Sequence, residues 1–221
     1  MLVLAFDTAT AAVTVALHEW SPGERTQVRA AIETVDRRHA EQLAPSISAV
    51  LDRAEATRTD LSAVVVGVGP GPYTGLRVGL ATAHALGVAL RIPVHGICTL
   101  DVIAWASGRT TPFVVATDAR RQEVYWARYD SARSRASEVA VGPPADAAAA
   151  GLPVMGEGAA LYEALLGPAA GPLLPSATAL GELAVTRLSG GAGPPLLPAR
   201  PLYLRRPDAR TPGARKKVTP A

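Results

Sequence analysis

The chain has one cysteine, Cys98, in 221 residues, which rules out an internal disulfide. Cys98 follows an apolar segment, the setting of a buried inert thiol rather than a nucleophile. Histidine is scarce too: His18, His39, His84 and His95 form no ligand-spaced pair and there is no Cys/His cluster, so no catalytic metal is expected. No Gly-x-Ser-x-Gly is present, which removes a serine-hydrolase reading. Long apolar runs are missing too. The N-terminal run Leu2–Phe6 ends at Asp7, and the uncharged apolar stretch with a helical pattern, Val78–Leu90, is too short to span a bilayer and contains His84. A cytoplasmic protein with no membrane partner is expected. The body also lacks excess positive charge: the formal net charge is +3, but the tail from Arg205 onward holds six Lys/Arg against Asp208, leaving everything before it at −2. Arg far outnumbers Lys alongside abundant Ala, Pro and Gly, so Arg content reads as compositional bias rather than RNA binding. With Pro207, Pro212, Pro220 and no apolar periodicity, residues 206–221 read as a flexible basic tail.

An apolar content of 48% is enough for a sizeable core. The densest information lies in Gly69-Pro-Gly-Pro-Tyr-Thr-Gly-Leu-Arg77, between the apolar run Val64–Val66 and a long helical pattern. Gly69 and Gly71 can supply positive φ or close approach, Pro70 and Pro72 stiffen the turn, and Thr74 can cap the helix that follows. A helix N-terminus of this kind attracts anions. The helix then carries a small residue at every fourth position, Gly75, Gly79, Ala83 and Gly87. Glycine inside a helix costs roughly 0.5–1 kcal/mol relative to alanine, so another backbone is expected to come close there. That backbone is either this chain's own sheet or a partner helix.

An echo at an offset of 111 residues organises the chain: Leu2-Val-Leu-Ala-Phe-Asp7 returns as Phe113-Val-Val-Ala-Thr-Asp118, and Val13-Thr-Val-Ala16 as Val124-Tyr-Trp-Ala127. Each apolar strand ends in an aspartate and leads into a second strand, which predicts two related β-hairpins. The first is followed by an amphipathic helix over 38–54 with Leu43, Ile47 and Val50 on one stripe, a strand over 63–68, the glycine loop, a helix over 74–90, a strand over 92–96 and a helix over 100–106. The second half is less patterned, with a strand at 153–155, a helix over 156–166 and another over 176–188. Intervals 140–151 and 190–200 read as loops. The expected division is 1–108, 109–205 and the tail.

Two pseudo-repeated α/β halves with mixed sheets flanked by helices, each opening on a hairpin whose turn bears an aspartate, resemble the actin/hexokinase/Hsp70 superfamily. Within it the chain resembles the TsaB (YeaZ) family. The residues that carry this are Phe6-Asp-Thr-Ala-Thr10, Arg38-His-Ala-Glu-Gln-Leu43, Gly69–Gly79, Ile92-Pro-Val-His-Gly96, Asp118-Ala-Arg-Arg-Gln-Glu-Val-Tyr125 and Pro201-Leu-Tyr-Leu-Arg205. The resemblance implies a non-catalytic, required partner of TsaD in making threonylcarbamoyladenosine beside the tRNA anticodon. It also implies assembly with TsaE, contact with tRNA through the complex, and homodimers when alone. TsaD-type proteins place two metal-binding histidines after this loop; Thr99 and Ile103 stand there instead.

Two sets of candidate site residues follow. His39, Leu43, Ile47, Val50, Gly75, Leu76, Gly79, Leu80 and Ala83 are assigned to a partner interface built from the two helices. Asp7, Thr8, Thr10, Gly69, Gly71 and Asp118 are where the superfamily would hold a nucleotide or phosphate. Ala9 and Ala119 or Arg120 in the turns crowd a phosphate, so that site is read as vestigial, no cofactor is expected, and the aspartates are read as stabilising their own turns. The alternative is a stand-alone ATP-dependent phosphotransferase that depends on Asp7.

Overall fold

A computed structural model of the chain describes residues 1–22, 26–35 and 38–205. The expected tail, 206–221, lies outside the described residues. The first half is built on β1 (Leu2–Asp7), β2 (Ala12–Glu19) and β3 (Gln27–Val35), then helix α1 (His39–Arg53), β4 (Leu61–Gly67), helix α2 (Tyr73–Leu90), β5 (Val94–Ile97) and helix α3 (Thr99–Ser107). The second holds β6 (Phe113–Asp118), β7 (Val124–Ser131), β8 (Ser134–Arg135), β9 (Ala140–Gly142), α4 (Pro144–Ala148), β10 (Val154–Met155), α5 (Glu157–Leu161), α6 (Glu163–Leu166), α7 (Ala177–Leu188) and β11 (Leu197–Pro198).

The first sheet has the order β11-β5-β4-β1-β2-β3, with β1, β4 and β5 parallel and β2 antiparallel to its neighbours. Its central strands are apolar on both sides because helices cover both faces. Leu4, Phe6, Val13, Val15, Val64 and Val66 pack toward α1 and α2; Val3, Ala5, Ala63 and Val65 pack toward α3 and α7. The second sheet repeats the plan in the order β10-β6-β7-β8, and in both halves a hairpin is flanked by a parallel strand on its first member. The fold is thus α/β and duplicated, as the echo implies.

The echo is one residue out of step after its turn. Asp7 faces Thr14 but Asp118 faces Val124, so the second hairpin has the shorter turn. A one-residue slip flips every side chain. Val13 accordingly shares a face with Leu4 and Phe6, whereas Val124 shares one with Val114 and Ala116, the counterparts of Val3 and Ala5. Nor does the chain divide cleanly at 108/109. Helix α7 lies across β1 and β2, and β11 pairs with β5, so residues 177–198 return to the first sheet. Helix α3 joins the halves: Val102 packs on the first sheet and Leu100, Ile103 and Ala104 on the second.

Several local expectations change. Strand β3 was not anticipated. The segments read as loops contain β9, α4 and β11, and the helix expected over 156–166 breaks at Tyr162 into α5 and α6. Helix α2 starts at Tyr73 with Pro72 as N-cap and no capping side chain, so Thr74 sits inside the first turn rather than capping it. Among the described residues no helix is long and apolar enough to cross a membrane.

Candidate functional site

The glycine loop and the first hairpin turn fit into one another. Asp7, at the end of β1, is fully buried: its carboxylate accepts from the Ala9 N–H at 2.6 Å and from the Thr99 hydroxyl at 2.8 Å. The Gly69 N–H donates in turn to the Thr99 oxygen at 3.2 Å. Burial raises the Asp7 carboxyl to about 6, against the Ala9 N–H, the Thr99 hydroxyl and His39, which pull it down. Any Cβ at Gly67 would overlap this carboxylate. The Thr8 hydroxyl donates to the Gly75 carbonyl at 2.8 Å, and the His39 Nε2–H donates to the Thr10 carbonyl at 2.7 Å. A Cβ at Gly71 would overlap the Ala9 carbonyl and one at Gly75 the Thr8 carbonyl. The glycines at 71 and 75 therefore admit the chain's own turn, residues 8–10, against the glycine loop and the start of α2.

The second turn is built alike. Asp118 accepts from the Arg120 N–H at 2.8 Å and pairs with the Arg120 guanidinium at 3.1 Å. Arg120, Arg121 and Gln122 all adopt left-handed backbone with φ near +60°, uncommon for residues with a Cβ. Arg205 fixes this turn by donating to the Ala119 carbonyl and pairing with Glu123. The two turns face each other across a cleft lined by Ala9, Thr10, Ala11, Pro72, Thr117, Asp118, Arg120 and Glu157. Its volume of about 20 Å³ admits little more than one water. Small-molecule sites usually offer about 300–1,000 Å³.

The interface residues expected from the sequence face inward. Leu43, Ile47, Val50, Leu76, Leu80 and Ala83 are buried in the core of the monomer. Gly79 lies against Thr8 and Val66, with a Cβ there only 2.5 Å from the Thr8 hydroxyl oxygen, and Gly87 lies against Val94. Of the two backbones open from the sequence, the stripe meets this chain's own sheet and turn. His39 is half-buried and holds the turn. What α1 and α2 show to solvent is the opposite side: Ala40, Glu41, Ala44, Pro45, Asp52 and Arg53 on α1; Tyr73, Thr74, Arg77, Ala81, His84, Ala85, Val88 and Ala89 on α2. Val88 is 82% exposed.

Thr99 and Ile103 occupy no metal site: Thr99 is bonded to Asp7, and Ile103 is core. Among the described residues no group of three His, Cys, Asp or Glu could hold a metal ion. Sequence reasoning missed a buried polar latch between the halves. Asp101 on α3 accepts from the Tyr129 hydroxyl at 2.8 Å and pairs with Arg135 at 3.2 Å. Burial raises the Asp101 carboxyl against the pull of Arg135 and Tyr129, and burial with the Asp101 charge pushes the Cys98 thiol up to about 12, as suits an inert buried cysteine. Also missed was a strap formed by residues 199–205. The Ala199 carbonyl accepts from His84 at 2.8 Å, the Leu202 N–H donates to the Val68 carbonyl at 2.9 Å, and Tyr203 stacks on Tyr73 at 5.0 Å. The Pro-Leu-Tyr-Leu-Arg motif was its only signal.

Comparison with known proteins agrees with this architecture. The family model described as TsaD: tRNA N6-adenosine threonylcarbamoyltransferase matches residues 32–169. A Mycobacterium tuberculosis protein, itself described as uncharacterized, is 46% identical over 217 residues, covering 94% of this chain and 93% of that protein. The tRNA threonylcarbamoyladenosine biosynthesis protein TsaB of Escherichia coli is 38% identical over 132 residues, 58% of this chain and 55% of that protein, so the match spans about half the length of that relative. The solved structure of YeaZ from Pseudomonas aeruginosa superposes with a TM-score of 0.74 at 29% identity, over 92% of this chain and 99% of that one. With its glycine loop closed on its own hairpin turn and its helices in the same plan, this chain belongs to the TsaB (YeaZ) family.

Proposed function

We propose that this chain takes part in tRNA threonylcarbamoyladenosine biosynthesis as a non-catalytic partner of a TsaD protein. The observation that carries the reading is the packing of the turn at 8–10 against the glycine loop, with Asp7, which stands where the superfamily would place a catalytic or magnesium-associated carboxylate, sealed by Ala9, Thr99 and Gly67. Such a site offers no room for the chemistry of a phosphotransferase. Function then resides in surfaces. The outer faces of α1 and α2 suit a helical partner, because alanines at 40, 44, 81, 85 and 89 let another helix approach closely around Val88. A TsaD protein sharing the fold would present the corresponding helices, and a pseudo-two-fold pairing would let a second copy of this chain substitute when TsaD is absent. Docking would act at a distance, by stabilising the active arrangement of TsaD and completing a surface for TsaE and tRNA.

The stand-alone ATP-dependent alternative requires an open cleft between Asp7 and Asp118, and the cleft holds about 20 Å³. The deciding experiment is a binding measurement with Val88→Glu. This substitution is outward, so the monomer should fold normally while association with TsaD falls by at least 10-fold. Unchanged association would remove α2 from the interface.

A further inference from the structure

Arg77 is the only Asp, Glu, Lys or Arg of α2, and it sits in the N-terminal part of that helix, where the macrodipole disfavours a cation. No carboxylate of a described residue pairs with it. Two tyrosines hold it instead. The Arg77 guanidinium lies 3.8 Å from the Tyr73 ring centre, donates to the Tyr73 hydroxyl, and donates through Nε to the Tyr203 hydroxyl at 3.4 Å. Tyr203 arrives from the strap, and its ring stacks on Tyr73. The positive charge is thus oriented and partly exposed, with no counter-ion among the described residues.

Its position gives it a partner. Tyr73, Arg77, Ala81, Ala85 and Ala89 recur every four residues along the outer face of α2, so the cluster continues the docking face at its N-terminal end. Tyrosine and arginine are the residue types that dominate interface energetics, and a preoriented guanidinium matches a carboxylate in two-pronged geometry. We propose that Arg77, clamped by Tyr73 and Tyr203, is the specificity determinant of this surface: it receives a carboxylate from a helix of the TsaD partner. This rests on the accessory-subunit reading. A second copy of this chain brings no acidic residue on α2, and on α1 its Glu41 is already paired with Arg38 at 3.6 Å while Asp52 lies at the far end of that helix, so a pairing of α2 with α2 leaves Arg77 without a carboxylate and the contact would favour the hetero-partner. Tyr203 is a positioning residue, tying the contact to the strap that crosses α2 and reaches the second hairpin turn.

The test measures the affinity of the full chain for TsaD from the same organism at about 50 and 300 mM salt, for the unmodified protein, Arg77→Met, Arg77→Lys, Tyr203→Phe and Val88→Glu. Self-association is followed by sedimentation. Arg77→Met should weaken TsaD binding by about 10- to 100-fold and flatten its salt dependence, since charge-assisted hydrogen bonds contribute on that scale. Arg77→Lys should recover part of the loss and Tyr203→Phe should lose less, with self-association within about threefold of the unmodified protein. Arg77→Met binding with unchanged affinity and salt dependence overturns the proposal. So does intact TsaD binding accompanied by weakened tRNA binding, which would make the cluster an RNA contact. If the unmodified chain does not bind TsaD, the accessory-subunit reading itself fails; if Val88→Glu abolishes binding while Arg77→Met has no effect, only the role of Arg77 fails.

Discussion

Gly79→Ala should destabilise the isolated protein, although the same change in an ordinary helix stabilises it. In a helix interior, alanine is better than glycine by about 1 kcal/mol. Here the new Cβ would lie 2.5 Å from the Thr8 hydroxyl oxygen, closer than the 3.0 Å within which real Cβ atoms essentially never come. That hydroxyl is buried and committed to the Gly75 carbonyl at 2.8 Å, so it can retreat only by breaking its bond. Losing the bond costs about 1 kcal/mol, and overpacking a well-filled site costs roughly 1–3 kcal/mol more. After the helix gain is subtracted, the net loss is about 2 kcal/mol, a fall in midpoint of roughly 4–8 °C for a chain of this size. Thermal and urea unfolding of the purified protein alone reads this directly. A variant as stable as the parent, or more stable, would refute the packing of α2 on the hairpin turn and return the stripe to a partner helix.

Two buried groups set opposite pH dependences. His18 is fully buried under α7, where burial pushes its imidazole down to about 4; the Ala177 main chain pulls the other way without meeting hydrogen-bond geometry. Its folded value lies below the ordinary 6.5, so its contribution is present above pH 6.5 and is lost as pH falls toward 4, by about 3 kcal/mol. Asp7 lies above its ordinary value, so its contribution is present below about pH 4 and is lost as pH rises through 6, by a similar amount. Stability of the parent should therefore be nearly flat between pH 4 and 6, whereas His18→Leu should become more stable on acidification; urea midpoints across that range that fall for both would contradict this. Asp101→Ala should cost about 3 kcal/mol by stranding Arg135 and Tyr129, measured as a loss in unfolding free energy. Arg205→Ala should loosen the left-handed turn at 120–122, read as faster amide exchange there with little change in the first sheet.

The strand cores were legible because Leu2–Phe6, Val64–Val66 and Phe113–Ala116 are apolar on both faces, and the echo gave away the duplication. The direction in which α2 faces was not. Its small stripe and its alanine stripe are both spaced by four residues, and nothing local says that Thr8 sits opposite Gly75 and Gly79. Leu43, Ile47 and Val50 carried the opposite lesson: an apolar stripe on an amphipathic helix faces the chain's own core before it faces a partner. The strap, the Asp101 latch and β11 depend on contacts between residues 28 to 126 apart in sequence, beyond the reach of any local pattern.

The central claim is tested most directly by reconstituting tRNA modification from purified TsaD, TsaE and a supply of threonylcarbamoyl-adenylate, with and without this protein, while following its own ATP turnover in isolation. The account predicts that modification needs this protein and that alone it consumes no ATP. Modification at full rate without it, together with ATP turnover that Asp7→Asn abolishes, would contradict the account and make it a phosphotransferase.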